Sequence, residues 1–163
     1  MTTVSVVHCE TSSGVVNPIE RIGEAVKTYD TSILNILSHG AQVKSYADEL
    51  RVVTDINYCV DAMSSFGAIP INAASTRADF LISSANKCLE GVPGLAFVIC
   101  RREALLKCKG VARSLSLDLV DQFESLESTS QFRFTPPTHV MLALKQAIAE
   151  LKDEGGVEGR ASR

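Results

Sequence analysis

No apolar run in this chain approaches the roughly 20 residues needed to cross a bilayer, so no membrane partner is expected. The first residues carry no charged segment followed by an apolar core, and no secretory leader is expected either. Excess positive charge is also lacking. The 16 lysines and arginines are scattered and outnumbered by 19 acids, for a net charge of −3, which argues against a nucleic-acid surface. Cys9, Cys59, Cys88, Cys100 and Cys108 form no CxxC pair, and their odd number argues against a closed disulfide framework. They read as reduced thiols of a cytoplasmic protein, mostly buried in strands. His8, His39 and His139 have no metal-ligand spacing, so neither a metal site nor a catalytic histidine is expected. Ser12, Ser64 and Ser65 have no base beside them in a recognisable triad order, which weakens a hydrolase reading. What is present is a chain of single-domain length, 163 residues with 45% hydrophobic composition, able to bury a core of moderate size.

The most informative stretch is Ser83-Ser84-Ala85-Asn86-Lys87-Cys88-Leu89-Glu90-Gly91-Val92-Pro93-Gly94. It follows the strand-like run Ala78-Asp79-Phe80-Leu81-Ile82 and precedes a second apolar run, 95–100. Small residues before Lys87 leave room for a flat ligand, and the glycines after it allow a sharp turn. Two readings are open at this point. Lys87 is either a surface lysine in a strand-to-strand loop, or a partly desolvated amine that is nucleophilic toward an aldehyde.

A second stretch bears on that choice. Ile56-Asn57-Tyr58-Cys59-Val60-Asp61 reads as another strand, ending in an acid. Between Asp61 and Lys87 lies enough chain for a short crossover and one strand. In an open α/β sheet, neighbouring parallel strands present their carboxyl ends at one edge, where ligands bind. Pyridoxal phosphate chemistry needs this pair: a lysine to hold the aldehyde and a carboxylate to keep the pyridine nitrogen protonated.

At these residues the chain resembles a known family. The runs Val60-Asp61-Ala62-Met63-Ser64-Ser65-Phe66-Gly67, Ser83-Ser84-Ala85-Asn86-Lys87-Cys88, Gly91-Val92-Pro93-Gly94 and Arg113-Ser114-Leu115-Ser116-Leu117-Asp118-Leu119 resemble the 2-aminoethylphosphonate–pyruvate transaminases. These are class V aminotransferases of the fold-type I pyridoxal phosphate superfamily. The Asp…Lys pair alone indicates only the superfamily; the Met-Ser-Ser-Phe-Gly and Ser-Ala-Asn-Lys-Cys runs point to the phosphonate branch. The resemblance implies an α/β fold: part of the large, cofactor-binding domain, a mostly parallel sheet with flanking helices. It implies pyridoxal 5′-phosphate as cofactor, with Lys87 and Asp61 catalytic. It also implies Thr11 at the ring hydroxyl, Met63 against the ring face, Asn86 beside the phosphate, and Thr135 reaching the partner's cofactor across a homodimer. The expected reaction passes the amino group of 2-aminoethylphosphonate to pyruvate, giving phosphonoacetaldehyde and alanine. Two alternatives stay open: a related serine- or alanine–glyoxylate transaminase, and a catalytically silent fragment.

Taken in order, residues 3–8 read as a strand and 9–14 as a polar turn. Asn17-Pro18-Ile19-Glu20 reads as a helix start with Asn17 as cap, and the helix is expected to run to about Tyr29. Residues 31–55 then depart from the family pattern. They read either as an extra surface helix pair or, slightly preferred, as an insertion foreign to the fold. Strands are expected at 78–83 and 95–100, with short helices at 101–107 and about 114–126. A long final helix is expected, capped by Thr135, opened by Pro136 and ended by Gly155-Gly156. The resemblance further implies that the amino-terminal half of the large domain and the small domain lie outside these residues. The isolated chain is therefore expected to be poorly soluble and inactive.

Overall fold

The computed structural model describes residues 2–38 and 56–163. Its main sheet has four strands in the order β1 (Thr2–Val7), β4 (Ile56–Asp61), β5 (Phe80–Ser84), β6 (Ala96–Cys100). The β1–β4 and β4–β5 pairs are parallel, with Val7 opposite Asp61 and Asp61 opposite Ile82. Strand β6 returns antiparallel to β5, because the Gly91-Val92-Pro93-Gly94 turn leaves no room for a crossover. The sheet is mostly parallel, as expected. A small hairpin of β2 (Cys9–Glu10) and β3 (Val15–Val16) leaves the carboxyl end of β1.

Alternation along the strands builds two cores on opposite faces. Tyr58 and Val60 of β4 and Leu81 of β5 pack with Ile19, Ile22 and Val26 of α1 (Ile19–Ser38). The intervening Cys59 and Phe80 face Ala104 and Leu105 of α3 (Arg102–Leu106) and Val120 and Phe123 of α4 (Leu119–Thr129). Helix α2 (Ala73–Thr76) makes the short crossover between β4 and β5, and Asn72 caps it by accepting from the Ala74 and Ser75 amides. At the end of the sheet away from the strands' carboxyl termini, Asp79 is buried and accepts from Lys27 Nζ at 2.6 Å and from the Tyr58 amide at 2.8 Å. A buried carboxylate needs such partners.

Several boundaries differ from expectation. Helix α1 continues past Tyr29 to Ser38, so residues 31–38 of the suspected insertion belong to it; the rest, 39–55, lies outside the described residues. The Asn17 side chain does not cap α1; its amide donates to the Val7 carbonyl at 2.8 Å and ties the helix entrance to β1. The first α-type bond of that helix instead reaches the Pro18 carbonyl, from the Ile22 amide. Helix α4 starts at Leu119, where Asp118 accepts from the Val120 and Asp121 amides. The long helix α5 spans Thr138–Asp153, with Pro137 and not Thr135 at its N-cap. A proline bars the residue before it from helical geometry, so Pro137 holds Pro136 out of the helix. Gly155 and Gly156, both at positive φ, end α5 as expected, but the chain then reverses into a short helix, α6 (Gly156–Ala161).

Candidate functional site

The carboxyl ends of β1, β4 and β5 are locked together one residue beyond the strands. The His8 amide donates to the Asp61 carbonyl and the Ala62 amide to the Ile82 carbonyl, each at 2.8 Å. The chain then turns tightly. The Asp61 carboxylate accepts the Met63 amide at 2.8 Å. The Ala62 carbonyl accepts the Ser65 and Phe66 amides at 3.2 and 3.0 Å and the Ser83 hydroxyl at 3.2 Å. Asp61 and Met63 are half-buried, while Ser65 and Ser83 are fully enclosed.

The turn is braced from the β1 side. Buried His8 bonds Ser65 Oγ through Nδ1 at 2.8 Å. Burial pushes the His8 pKa below its ordinary value, and the nearby Glu20 charge partly offsets this. Thr11, in the β2–β3 hairpin, shares a hydrogen bond of 2.6 Å with Ser64.

The lysine turn lies beside it. The Ala85 amide donates to the Leu95 carbonyl at 3.0 Å, and the Ala85 carbonyl accepts the Gly91 amide at 2.8 Å, so the segment between forms a closed loop. Inside it the Glu90 amide donates to the Lys87 carbonyl at 2.8 Å. Asn86 and Lys87 point outward and are exposed; the desolvation expected of Lys87 is not supplied by the described residues. The two turns touch at two places. Cys88 Sγ donates to the Ser64 carbonyl at 3.4 Å. Gly67, buried at φ +102°, lies so near the lysine loop that a Cβ there would come within 2.9 Å of the Leu89 side chain.

Five of the six residues expected to form the site thus gather at one sheet edge: Thr11, Asp61, Met63, Asn86 and Lys87. Thr135, expected at the partner's cofactor and not at this edge, lies elsewhere. It is exposed in the loop before α5, in a concavity lined by residues 130–136 alone. Arg133 pins that loop to the entrance of α4, donating to the Leu115 and Asp118 carbonyls at 2.9 and 3.3 Å and pairing with Asp121 at 3.2 Å. The bracing residues His8, Ser65 and Ser83, and Arg160, which donates to the Cys88 carbonyl, were not found by the sequence reading. A histidine at a strand end carries no spacing signal, the two serines stood inside the quoted motifs with nothing to mark them as braces, and Arg160 lies far down the chain from its acceptor.

The model of the family "Aminotransferase class-V" matches residues 34–162. The chain is 46% identical over 164 residues to 2-aminoethylphosphonate–pyruvate transaminase of Bacteroides fragilis (strain YCH46), covering all of this chain and 38% of that protein. It is 48% identical to the protein of the same name from Bacillus cereus (strain Q1), with the same coverage. The chain therefore spans well under half the length of these relatives. Its fold is similar to the crystal structure of ureidoglycine–glyoxylate aminotransferase from Bacillus subtilis, with a TM-score of 0.74 at 24% identity over 99% of this chain and 36% of that one. With its family match running through most of the sequence, the chain belongs to the class V aminotransferases, which work with pyridoxal phosphate.

Proposed function

We propose that this chain supplies the lysine- and aspartate-bearing part of an aminotransferase that moves the amino group of 2-aminoethylphosphonate to pyruvate, yielding phosphonoacetaldehyde and alanine. The observation that carries the reading is that Asp61 ends β4 and Lys87 lies in the turn after the adjacent parallel strand β5, at the same carboxyl edge of the sheet. The identity of 46–48% to relatives bearing that name supports the choice of amino donor.

The residues at this edge fit pyridoxal phosphate by the chemistry of their donors: an exposed primary amine, a half-buried carboxylate, a side-chain amide at Asn86 and a hydroxyl at Thr11. Ser84 adds an independent sign. Its hydroxyl is buried without a hydrogen-bond partner among the described residues. It lies two positions beyond Ile82, the register partner of Asp61, and so on the same sheet face as Asp61. A buried orphan hydroxyl calls for a polar neighbour.

The cofactor, when bound, supplies the aldehyde that takes up the amino group and a ring that accepts electrons. In this reading Lys87 holds the cofactor in the resting enzyme. Once displaced, it would act as general base and then general acid, taking the proton from the amine-bearing carbon of the substrate and holding it on Nζ for return. The Asp61 carboxylate keeps a proton on the ring nitrogen, and its own orientation is fixed by the Met63 amide. Thr11 would hold the ring hydroxyl, Met63 would pack on the ring, and Asn86 would hold the phosphate. Thr135 serves the partner's site in a homodimer, which accounts for its distance from the Asp61–Lys87 edge. No helix among the described residues is long and apolar enough to cross a membrane; the five free thiols are what support assigning the protein to the cytoplasm.

The test is covalent. Incubation with pyridoxal phosphate followed by borohydride reduction is expected to leave the mass label on Lys87, and an enzyme containing this segment is expected to form alanine from 2-aminoethylphosphonate and pyruvate. A label spread evenly over many lysines, or alanine formed from other amines and not from the aminophosphonate, overturns the reading.

A further inference from the structure

Burying an arginine is costly unless its donors are met, and Arg160, near the end of this chain, is met by two groups of the lysine turn and by one acid at the end of α5. The Arg160 side chain, on α6, is only 4% exposed. Its Nη1 donates to the Cys88 carbonyl at 2.7 Å, its Nε donates to Glu154 at 2.8 Å, and its Nη2 lies 3.5 Å from Glu90. Cys88 is the residue directly after Lys87, and Glu90 closes the same turn in the left-handed region at φ 58°. Arg163 reinforces the arrangement by pairing with Glu90 and with Glu154. One guanidinium thus grips the lysine turn and anchors it to the end of α5.

We infer that Arg160 is the positioning residue for Lys87. This rests on the proposed role of Lys87 but assigns a task to a residue well outside the site. A lysine that alternately holds a cofactor and moves a proton needs a mobile side chain on a fixed base. The exposed stem of Lys87 provides the first. For the second, a charge-assisted bond to the neighbouring residue's carbonyl is stronger than a neutral one, and it fixes the Cys88–Leu89 peptide, one residue beyond the Cα from which the stem departs. The α5–α6 reversal at Gly155-Gly156 has the geometry to deliver this bond, since it folds α6 back toward the turn. Glu154 orients the guanidinium and Glu90 receives its remaining edge.

The experiment compares the protein with its Arg160→Met, Arg160→Lys and Glu154→Gln variants. One arm follows amide exchange at Glu90 and Gly91, whose N–H groups close the turn, with Val60 and Leu81 in the sheet as internal references. The other follows the rate at which pyridoxal phosphate becomes reducible onto Lys87. Arg160→Met is expected to speed exchange at Glu90 and Gly91 about tenfold, leave the sheet amides unchanged, and slow Lys87 labelling about tenfold, the scale on which misplacement of a reacting group acts. Arg160→Lys is expected to recover part of both effects. Glu154→Gln, which keeps the arginine, is expected to move both readings the same way by less, and it serves if Arg160→Met fails to fold. Wild-type exchange and labelling in the variants overturn the inference. So does slowed labelling with unchanged exchange, because Arg160 then acts by some route other than the turn. If the unsubstituted protein does not label at Lys87, the proposed function fails instead, and the exchange arm still decides whether Arg160 holds the turn.

Discussion

The two turns at the carboxyl edge of the sheet are built in opposite ways. The aspartate turn is set into the core: its carbonyl at Ala62 accepts bonds from Ser65, Phe66 and Ser83, and buried His8 braces it from β1. The lysine turn is seated by Ala85 and Leu89, both buried, but turns its polar residues outward. Asn86, Lys87 and Glu90 are exposed, and the turn is held by its own closing bonds, by Cys88 against Ser64, and by an arginine brought from α6. A group that only holds a charge in place gains from immobility. A group that changes partners needs freedom beyond a fixed backbone, and the contrast between the turns matches that division of labour.

The largest effect expected from breaking this arrangement is chemical. Asp61→Asn keeps the shape and the bond to the Met63 amide but removes the charge. In an enzyme containing this segment, turnover is expected to fall by about a hundredfold or more, with the melting temperature nearly unchanged. Near-normal turnover would show that the rigid turn is only structural.

Next in size is Gly67→Ala, placed where the turns meet. An L-residue at φ +102° is strained, and the new Cβ approaches the Leu89 side chain and lies 3.4 Å from the Cys88 carbonyl group. A loss of about 1–3 kcal/mol is expected in denaturant unfolding. A neutral result would mean that the turns are not in register as described.

The remaining effects separate the turns by pH. The His8 side chain braces the aspartate turn through Ser65, and its folded-state pKa lies below the ordinary 6.5 because burial disfavours the charged form. The unfolded chain therefore binds the proton first as pH falls. The corresponding stability is complete above pH 6.5 and is lost as pH drops through the lower folded value. Melting curves between about pH 7.5 and 5 are expected to show this slope, and His8→Ala is expected to remove it while costing about 1 kcal/mol for the lost bond to Ser65. An unchanged slope in the variant would move its origin elsewhere.

The smallest effect belongs to the lysine turn. The hydrogen bond from Arg160 holds the exposed Glu154 carboxyl below its ordinary 4.5, against a weaker opposing effect of desolvation. Its contribution is present above pH 4.5 and fades only as pH falls through the lowered folded value. Exchange at Glu90 and Gly91 is accordingly expected to stay flat between pH 7 and 5, after correction for intrinsic rates, and to quicken only below pH 4.5. Loosening of the lysine turn in the range where His8 titrates would show that the two turns are not held separately.

Much of this was legible in the residues themselves. The strands are short apolar runs; 78–82 is largely buried, and 95–100 forms a strand that stays partly exposed. The Asp61 and Lys87 motifs, the crossover too short for a long helix, and the glycines that stop α5 are all local features that nearest-neighbour chemistry decides. Local rules misjudged the helix starts because two devices compete for the same residues. Asn17 has the chemistry of a cap, yet its amide is taken by Val7. Thr135 likewise looks like a cap, yet the Pro136-Pro137 pair delays the helix to Thr138.

What the chain order alone determined is therefore the sheet, its carboxyl edge, and the acid and amine carried there. The tertiary structure decided how firmly each is held. The His8–Ser65 bond joins residues 57 apart in sequence and the Arg160–Cys88 bond residues 72 apart. Contacts at such separations leave no periodicity or spacing to read, because they exist only once the sheet and the α5–α6 reversal have brought their partners to hydrogen-bonding distance.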